Sequence, residues 1–157
     1  MEGANGMKQE QKIRQADVVI IGGGPAGLAA AVRLYDQGVR DILILEREHQ
    51  LGGILKQCIH DGFGLTRFGE TLSGPEYADR FIREVQDREI PYITDTTVIQ
   101  ITPEHRVYAA HETGMVAVQA RAVVLAMGCR ERTRGALAIP GTRPAGVLTA
   151  GVAQAYI

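Results

Sequence analysis

The chain alternates between unbroken apolar runs and glycine-punctuated turns. Residues 17–21 (DVVII) form an apolar run led by one acid, which predicts a strand buried on both faces. A helix follows over 25–37. Pro25 suits its first turn, Leu28, Ala31, Val32 and Tyr35 recur at helical spacing, and Gly38 supplies the stop. Residues 41–45 (DILIL) predict a second buried strand, ending at Glu46. This strand–helix–strand unit implies two parallel strands. The glycine-rich stretch 51–72 reads as irregular and is too long for an ordinary connection. Ser73 and Glu76 have capping-box spacing, with Pro75 in the first turn. The helix they open carries Tyr77, Phe81 and Val85 on one side and runs to about Glu89. A short strand over 92–94 precedes an antiparallel meander over 97–101, 107–110 and 115–119, whose last turn is 112–114. Residues 122–126 (AVVLA) predict another doubly buried strand, and 129–146 reads as loop. The polar residues 1–15 read as a flexible arm.

Composition narrows the function classes. The 157 residues carry a net charge of −1, which excludes a global basic field for nucleic acid and a polybasic membrane signal. Glycine, at 19 residues, exceeds its usual share of ~7%. Trp is absent and Phe and Tyr number only 3 and 5, so the core must be largely aliphatic. Cys58 and Cys129 form no CxxC pair, which leaves neither a zinc ribbon nor a vicinal redox dithiol and offers no metal site. Two thiols in such a chain fit a reducing, cytoplasmic setting. Lys8, Lys12 and Arg14 precede an uncharged run over 18–32, but three glycines and a proline interrupt it. It reads as neither a signal peptide nor a membrane span.

The main chemical signal is Gly22-x-Gly24-x-x-Gly27, set between a strand and a helix, with Glu46 at the end of the next strand. Gly22 permits the sharp turn. Gly24, lacking Cβ, lets a pyrophosphate approach the backbone. Gly27 lets helix and sheet pack closely. The helix N-terminus, where Pro25 (which itself has no N–H) and Ala26 stand, presents free N–H groups and a partial positive charge to the anion. Glu46 can accept hydrogen bonds from both ribose hydroxyls and would repel a 2′-phosphate; Arg47 beside it softens that selection. On these grounds FAD and NAD both remain open.

The string DVVIIGGGPAGLAAAVRLYDQGVRDILILERE resembles the opening of the FAD-binding domain in flavoproteins with two dinucleotide-binding domains, the superfamily of thioredoxin reductases and pyridine nucleotide-disulfide reductases. Further matches follow in order. Leu51-Gly52-Gly53 resembles the glycine pair that brings backbone against the flavin side of FAD. Leu72-Ser-Gly-Pro75 resembles the next helix opening in the thioredoxin-reductase branch. Val98 stands where a backbone group reads the adenine edge, and Ala126-Met127-Gly128 where the family has a turn beside FAD. The resemblance spans about residues 16–157. It implies an α/β, Rossmann-like FAD-binding domain with a central parallel sheet and an antiparallel β-meander insert packed on it.

A narrower resemblance lies in LGGILKQCIHDGFGL and AMGCRERTRGALAIPGTRPAGVLTAG. These are similar to flavin oxidoreductases near the glycerol-3-phosphate dehydrogenases, and to the alpha-type subunits of amino-acid and opine dehydrogenases and of cyanide-forming glycine oxidation. The resemblance implies pyridine-nucleotide-linked electron transfer to or from a small organic substrate, with FAD as cofactor. The alternatives are an NAD-binding dehydrogenase domain and a non-catalytic FAD-binding subunit of a split enzyme. Without a cysteine pair, disulfide chemistry is unsupported, no catalytic residue is assigned, and Cys58 and His60 read as a packed thiol and a loop histidine. Arg130, Arg132 and Arg134 read as a solvated loop. No second GxGxxG follows Gly27. The expectation is therefore the N-terminal part of a longer protein: NAD(P) would enter through an inserted domain that this chain lacks, as it lacks the segment closing the flavin site. A partner subunit carrying those segments would complete it, and the sheet edge that truncation leaves uncovered points to a homo-oligomer.

Overall fold

In the computed structural model, residues 13–156 are described. Strand β1 (Arg14–Ile21) opens the fold and leads through the glycine turn into helix α1 (Pro25–Asp36) and strand β2 (Ile42–Leu45). Arg14 and Gln15 therefore belong to a strand rather than to an arm, because they pair with Val118 and Gln119. The rest of the expected arm, residues 1–12, lies outside the described residues.

The stretch 51–72 is not irregular. It contains a 3₁₀ turn (Gly53–Gln57), strand β3 (Asp61–Phe63), one helical turn α2 (Leu65–Phe68) and strand β4 (Leu72–Ser73), with β3 and β4 paired as a separate two-stranded ribbon. Aromatic packing holds it to helix α3 (Gly74–Asp87). All three phenylalanines gather there: Phe63, Phe68 and Phe81 pack with Tyr77 at centroid distances of 5.2 to 6.0 Å. No local pattern announces this, since each phenylalanine comes from a different element. Helix α3 starts at the expected capping box: the Ser73 hydroxyl accepts from the Glu76 N–H, and the Glu76 carboxylate accepts from the Ser73 N–H at 2.8 Å.

After β5 (Tyr92–Ile93) the chain forms β6 (Thr97–Ile101), β7 (Arg106–His111) and β8 (Gly114–Leu125). The third meander strand and the run 122–126 are thus one 12-residue strand. Its first half pairs antiparallel with β7, and its second half runs parallel to β1. This fuses the meander and the parallel strands into one six-stranded sheet, ordered β5-β2-β1-β8-β7-β6. The β5-β2-β1-β8 part is parallel and the β8-β7-β6 part antiparallel, an α/β, Rossmann-like arrangement.

Alternation along β1 divides the core. Val18 and Ile20 join Leu28, Ala31 and Val32 of α1 and Phe81 and Val85 of α3. Val19 and Ile21 join Leu43 and Leu45 with Val107, Ala109 and Val118 of the meander. The meander thus covers the face of the parallel sheet that the helices leave bare, as expected for an insert packed on it. The run 122–126 is not doubly buried, however. Ala122 is exposed and Leu125 is 60% exposed, because β7 reaches only the first half of β8. Beyond it, 129–146 is loop, followed by a short helix α4 (Ala150–Ala155) that local sequence pattern does not set apart from the loop. Among the described residues no helix is long and apolar enough to cross a membrane.

Candidate dinucleotide site

The parallel strands β1, β2 and β8 end together, and three glycine-rich turns meet at their C-terminal ends. Gly22 adopts φ 107°, and a Cβ there would strike the carbonyl group of Ala126. Ala126 itself donates its N–H to the Ile21 carbonyl at 2.8 Å. Gly27 backs directly onto the Gly22 carbonyl oxygen, so only glycine allows α1 to lie that close to the turn. Gly52, at φ 112°, donates its N–H to the Gly23 carbonyl at 2.8 Å, and Gly53 lies against Gly24. Met127 is 64% exposed, and Gly128 has a φ of 67°. The turns at 22–24, 52–53 and 126–128 therefore converge in space.

At their centre stands the start of α1. Gly24 is its N-cap and supplies no side-chain cap, and Pro25 is the first helical residue. The N–H groups of Ala26 and Gly27 are left without helical acceptors, since the first intrahelical bond is Leu28 N–H to the Gly24 carbonyl at 2.9 Å. Helix α3 shows the contrast, because Ser73 and Glu76 satisfy its first turn internally. A bare, glycine-flanked helix start with its dipole pointing outward is suited to a pyrophosphate. A Cβ on Gly24 would have only the Gly53 Cα, at 3.9 Å, within contact range, so space remains at the position the anion needs.

Glu46 directly follows β2 and is only 6% exposed. Its Oε2 accepts from the Gly23 N–H at 2.6 Å, and its Oε1 accepts from the Glu48 N–H at 2.9 Å. Arg47 is exposed, and its Nε donates to the Glu48 carboxylate at 3.1 Å. Val98 sits half-buried in β6 and packs on the second core cluster. Its segment reaches the site through Thr96, whose N–H donates to the Glu46 carbonyl at 2.8 Å.

Three residues of the site are not marked by the motif spacing. Leu51 is buried against Gly23, and a Cβ at Gly23 would push the Leu51 side chain aside. Thr96, 1% exposed, turns its hydroxyl to the Thr94 carbonyl at 2.7 Å and fixes the approach to β6. Gly23 occupies a position that the fingerprint leaves variable, and the triple glycine is the one visible signal for it. Cys58 and Cys129 are free thiols, half-buried and exposed. His60 stacks on Phe63 at 5.3 Å at the rim of the aromatic cluster.

Comparison with known proteins places the fold in a family. The family model for pyridine nucleotide-disulphide oxidoreductase matches residues 16–156. The chain is similar to the HcnB subunit of hydrogen cyanide synthase from Pseudomonas protegens, with 31% identity over 150 residues, covering 88% of this chain and 29% of that protein. It is also 31% identical over 152 residues to an opine oxidase subunit from Agrobacterium tumefaciens, covering 88% and 28% respectively. Among solved structures, bacillithiol disulfide reductase from Bacillus cereus aligns with a TM-score of 0.62 at 21% identity, over 73% of this chain and 40% of that one. The chain spans under a third of the length of these curated relatives.

Proposed function

The chain belongs to the pyridine nucleotide-disulphide oxidoreductase family, and from that premise we propose that it is the FAD-binding part of a flavin-dependent oxidoreductase. The observation that carries this reading is the convergence of three glycine turns on the uncapped start of α1, beside a buried carboxylate.

In this reading the Ala26 and Gly27 amides and the α1 dipole hold the pyrophosphate, and Gly24 leaves room for it. Glu46 accepts from the ribose hydroxyls and disfavours a 2′-phosphate. Gly52 and Gly53 bring backbone to the flavin side, the Val98 backbone meets the adenine edge, and Ala126, Met127 and Gly128 close the opposite wall. FAD supplies, when bound, a two-electron acceptor in its ring system.

The test is a visible spectrum of the ligand released by acid from the purified protein. Flavin bands near about 370 and about 450 nm support the proposal, and a nicotinamide spectrum overturns it in favour of an NAD-binding domain. Fluorescence titration of FAD against NADH separates the same two readings.

The Pseudomonas and Agrobacterium relatives are both subunits by name. This favours a second reading of the same site, in which it belongs to the FAD-binding component of a multi-chain enzyme. Co-purification of a partner chain that restores flavin turnover would support it.

A further inference from the structure

Every polar group of Glu46 is already engaged within the protein. Its N–H donates to the Ile93 carbonyl at 2.9 Å, and its carbonyl accepts from the Thr96 N–H at 2.8 Å. Its two carboxylate oxygens accept from the Gly23 and Glu48 N–H groups. The buried side chain ties the glycine turn to the turn after β2, and the backbone of the same residue ties both to β5 and to the approach to β6. The bond to Gly23 is the consequential one. Gly23 is buried, its N–H has Glu46 as acceptor, and the glycine turn has no side chains with which to fix itself.

We propose that Glu46 is the latch that forms the glycine turn before any dinucleotide arrives, a positioning residue acting on the pyrophosphate site through the Gly23 N–H. This rests on the reading of the α1 start as a pyrophosphate site, and it adds a role that a sugar contact alone does not require. A buried carboxylate accepting two backbone N–H groups holds them with charge-assisted bonds. A flexible glycine turn would otherwise give up conformational entropy on binding, so a turn held in advance binds more tightly. Each carboxylate oxygen retains a further lone pair, so the sugar hydroxyls can share Glu46 without releasing the latch.

The experiment has two parts. In the nucleotide-free wild-type chain, hydrogen exchange at the Gly23 amide is measured by NMR. Protection at the level of the neighbouring strand supports the latch; exchange at the rate of an open loop overturns it, with no variant needed. Then inorganic pyrophosphate, which carries no sugar, is titrated against wild type and Glu46→Gln. In the glutamine one of the two oxygen positions becomes an NH2 that faces a backbone N–H, and the charge that strengthens both bonds is lost. The proposal expects pyrophosphate affinity to fall about tenfold or more, matching the loss of a charge-assisted bond. Unchanged or tighter pyrophosphate binding means that Glu46 serves the sugar alone, and overturns the proposal. If the protein fails to bind flavin while the Gly23 amide stays protected, the cofactor assignment fails and the latch stands.

Discussion

Gly22 and Ala126 stand in direct contact across the end of the sheet, with no room between the Gly22 α-carbon and the Ala126 carbonyl for even a methyl group. The two come from opposite ends of the described fold. Their contact exists because β1 and β8 run parallel in register up to Ile21 and Leu125. Gly22→Ala should therefore unfold the site rather than only block it. A positive φ of 107° costs a non-glycine residue about 1–2 kcal/mol, and the backbone collision adds to that. A urea melt should show a loss of about 2 kcal/mol or more; an unchanged midpoint would mean that the turn relaxes freely.

Gly24→Ala provides the complementary case. Gly24 has extended backbone at φ −76° and ψ 179°, and the nearest atom to an added Cβ is 3.9 Å away. Stability should stay within about 0.5 kcal/mol. The methyl group would nevertheless occupy the approach to the helix start, and flavin affinity should fall about tenfold or more. Flavin fluorescence quenching and a thermal melt on the same sample separate the two effects.

Helix α3 depends on its capping box. Removing the Ser73 hydroxyl leaves the Glu76 N–H without its acceptor, and Ser73→Ala should cost about 1 kcal/mol by denaturant titration. The Ser73 N–H and hydroxyl hold the Glu76 carboxyl below the usual glutamate range. The cap's charge is therefore present at neutral pH.

The ends of α1 and α3 are joined by Arg88, whose guanidinium meets the Asp36 carboxylate at 2.9 and 3.3 Å. Hydrogen bonding to Arg88 lowers the Asp36 pKa, and the same pair raises that of Arg88. A carboxylate whose folded pKa lies below its unfolded value contributes stability above the unfolded value, near ~3.9, and loses it as pH falls through the folded one. The melting temperatures of wild type and Asp36→Asn should thus differ at pH 6 and converge toward pH 3. A gap that persists under acid would assign the effect to packing.

Phe81→Ala tests what holds the 53–73 segment. Phe81 is 3% exposed and touches both Phe68 and Tyr77. The substitution should cost about 3–5 kcal/mol. Proteolysis within 53–73 should accelerate beyond what the global melt explains; parallel changes in both would deny the cluster a local role.

Much of the site could be read in the residues alone because its signals are short-range. The glycine spacing, Pro25 at the helix start, the Ser73–Glu76 box and the apolar runs each act within one or two turns of chain. The segment 51–72 defied that reading because its order comes from rings on β3, α2 and α3 that meet only in the folded chain. The run 122–126 misled for a related reason. Its apolar residues suit a strand, but whether a strand is covered on both faces depends on which neighbours reach it, and β7 stops short.

The amino-acid sequence by itself determined the parallel β1–α1–β2 unit, the bare helix start and the acid beside it, since local backbone preference and apolar periodicity suffice for these. Only the tertiary structure decided that β8 would join the meander to the parallel sheet, that Ala126 would press on Gly22, and that Glu46 would grip the Gly23 amide. Those contacts link segments far apart in the chain. They form where β1, β2 and β8 end in register, and burial of Val19, Ile21, Leu43 and Leu45 beneath the meander helps to hold those strands in place, a meeting that no local pattern encodes.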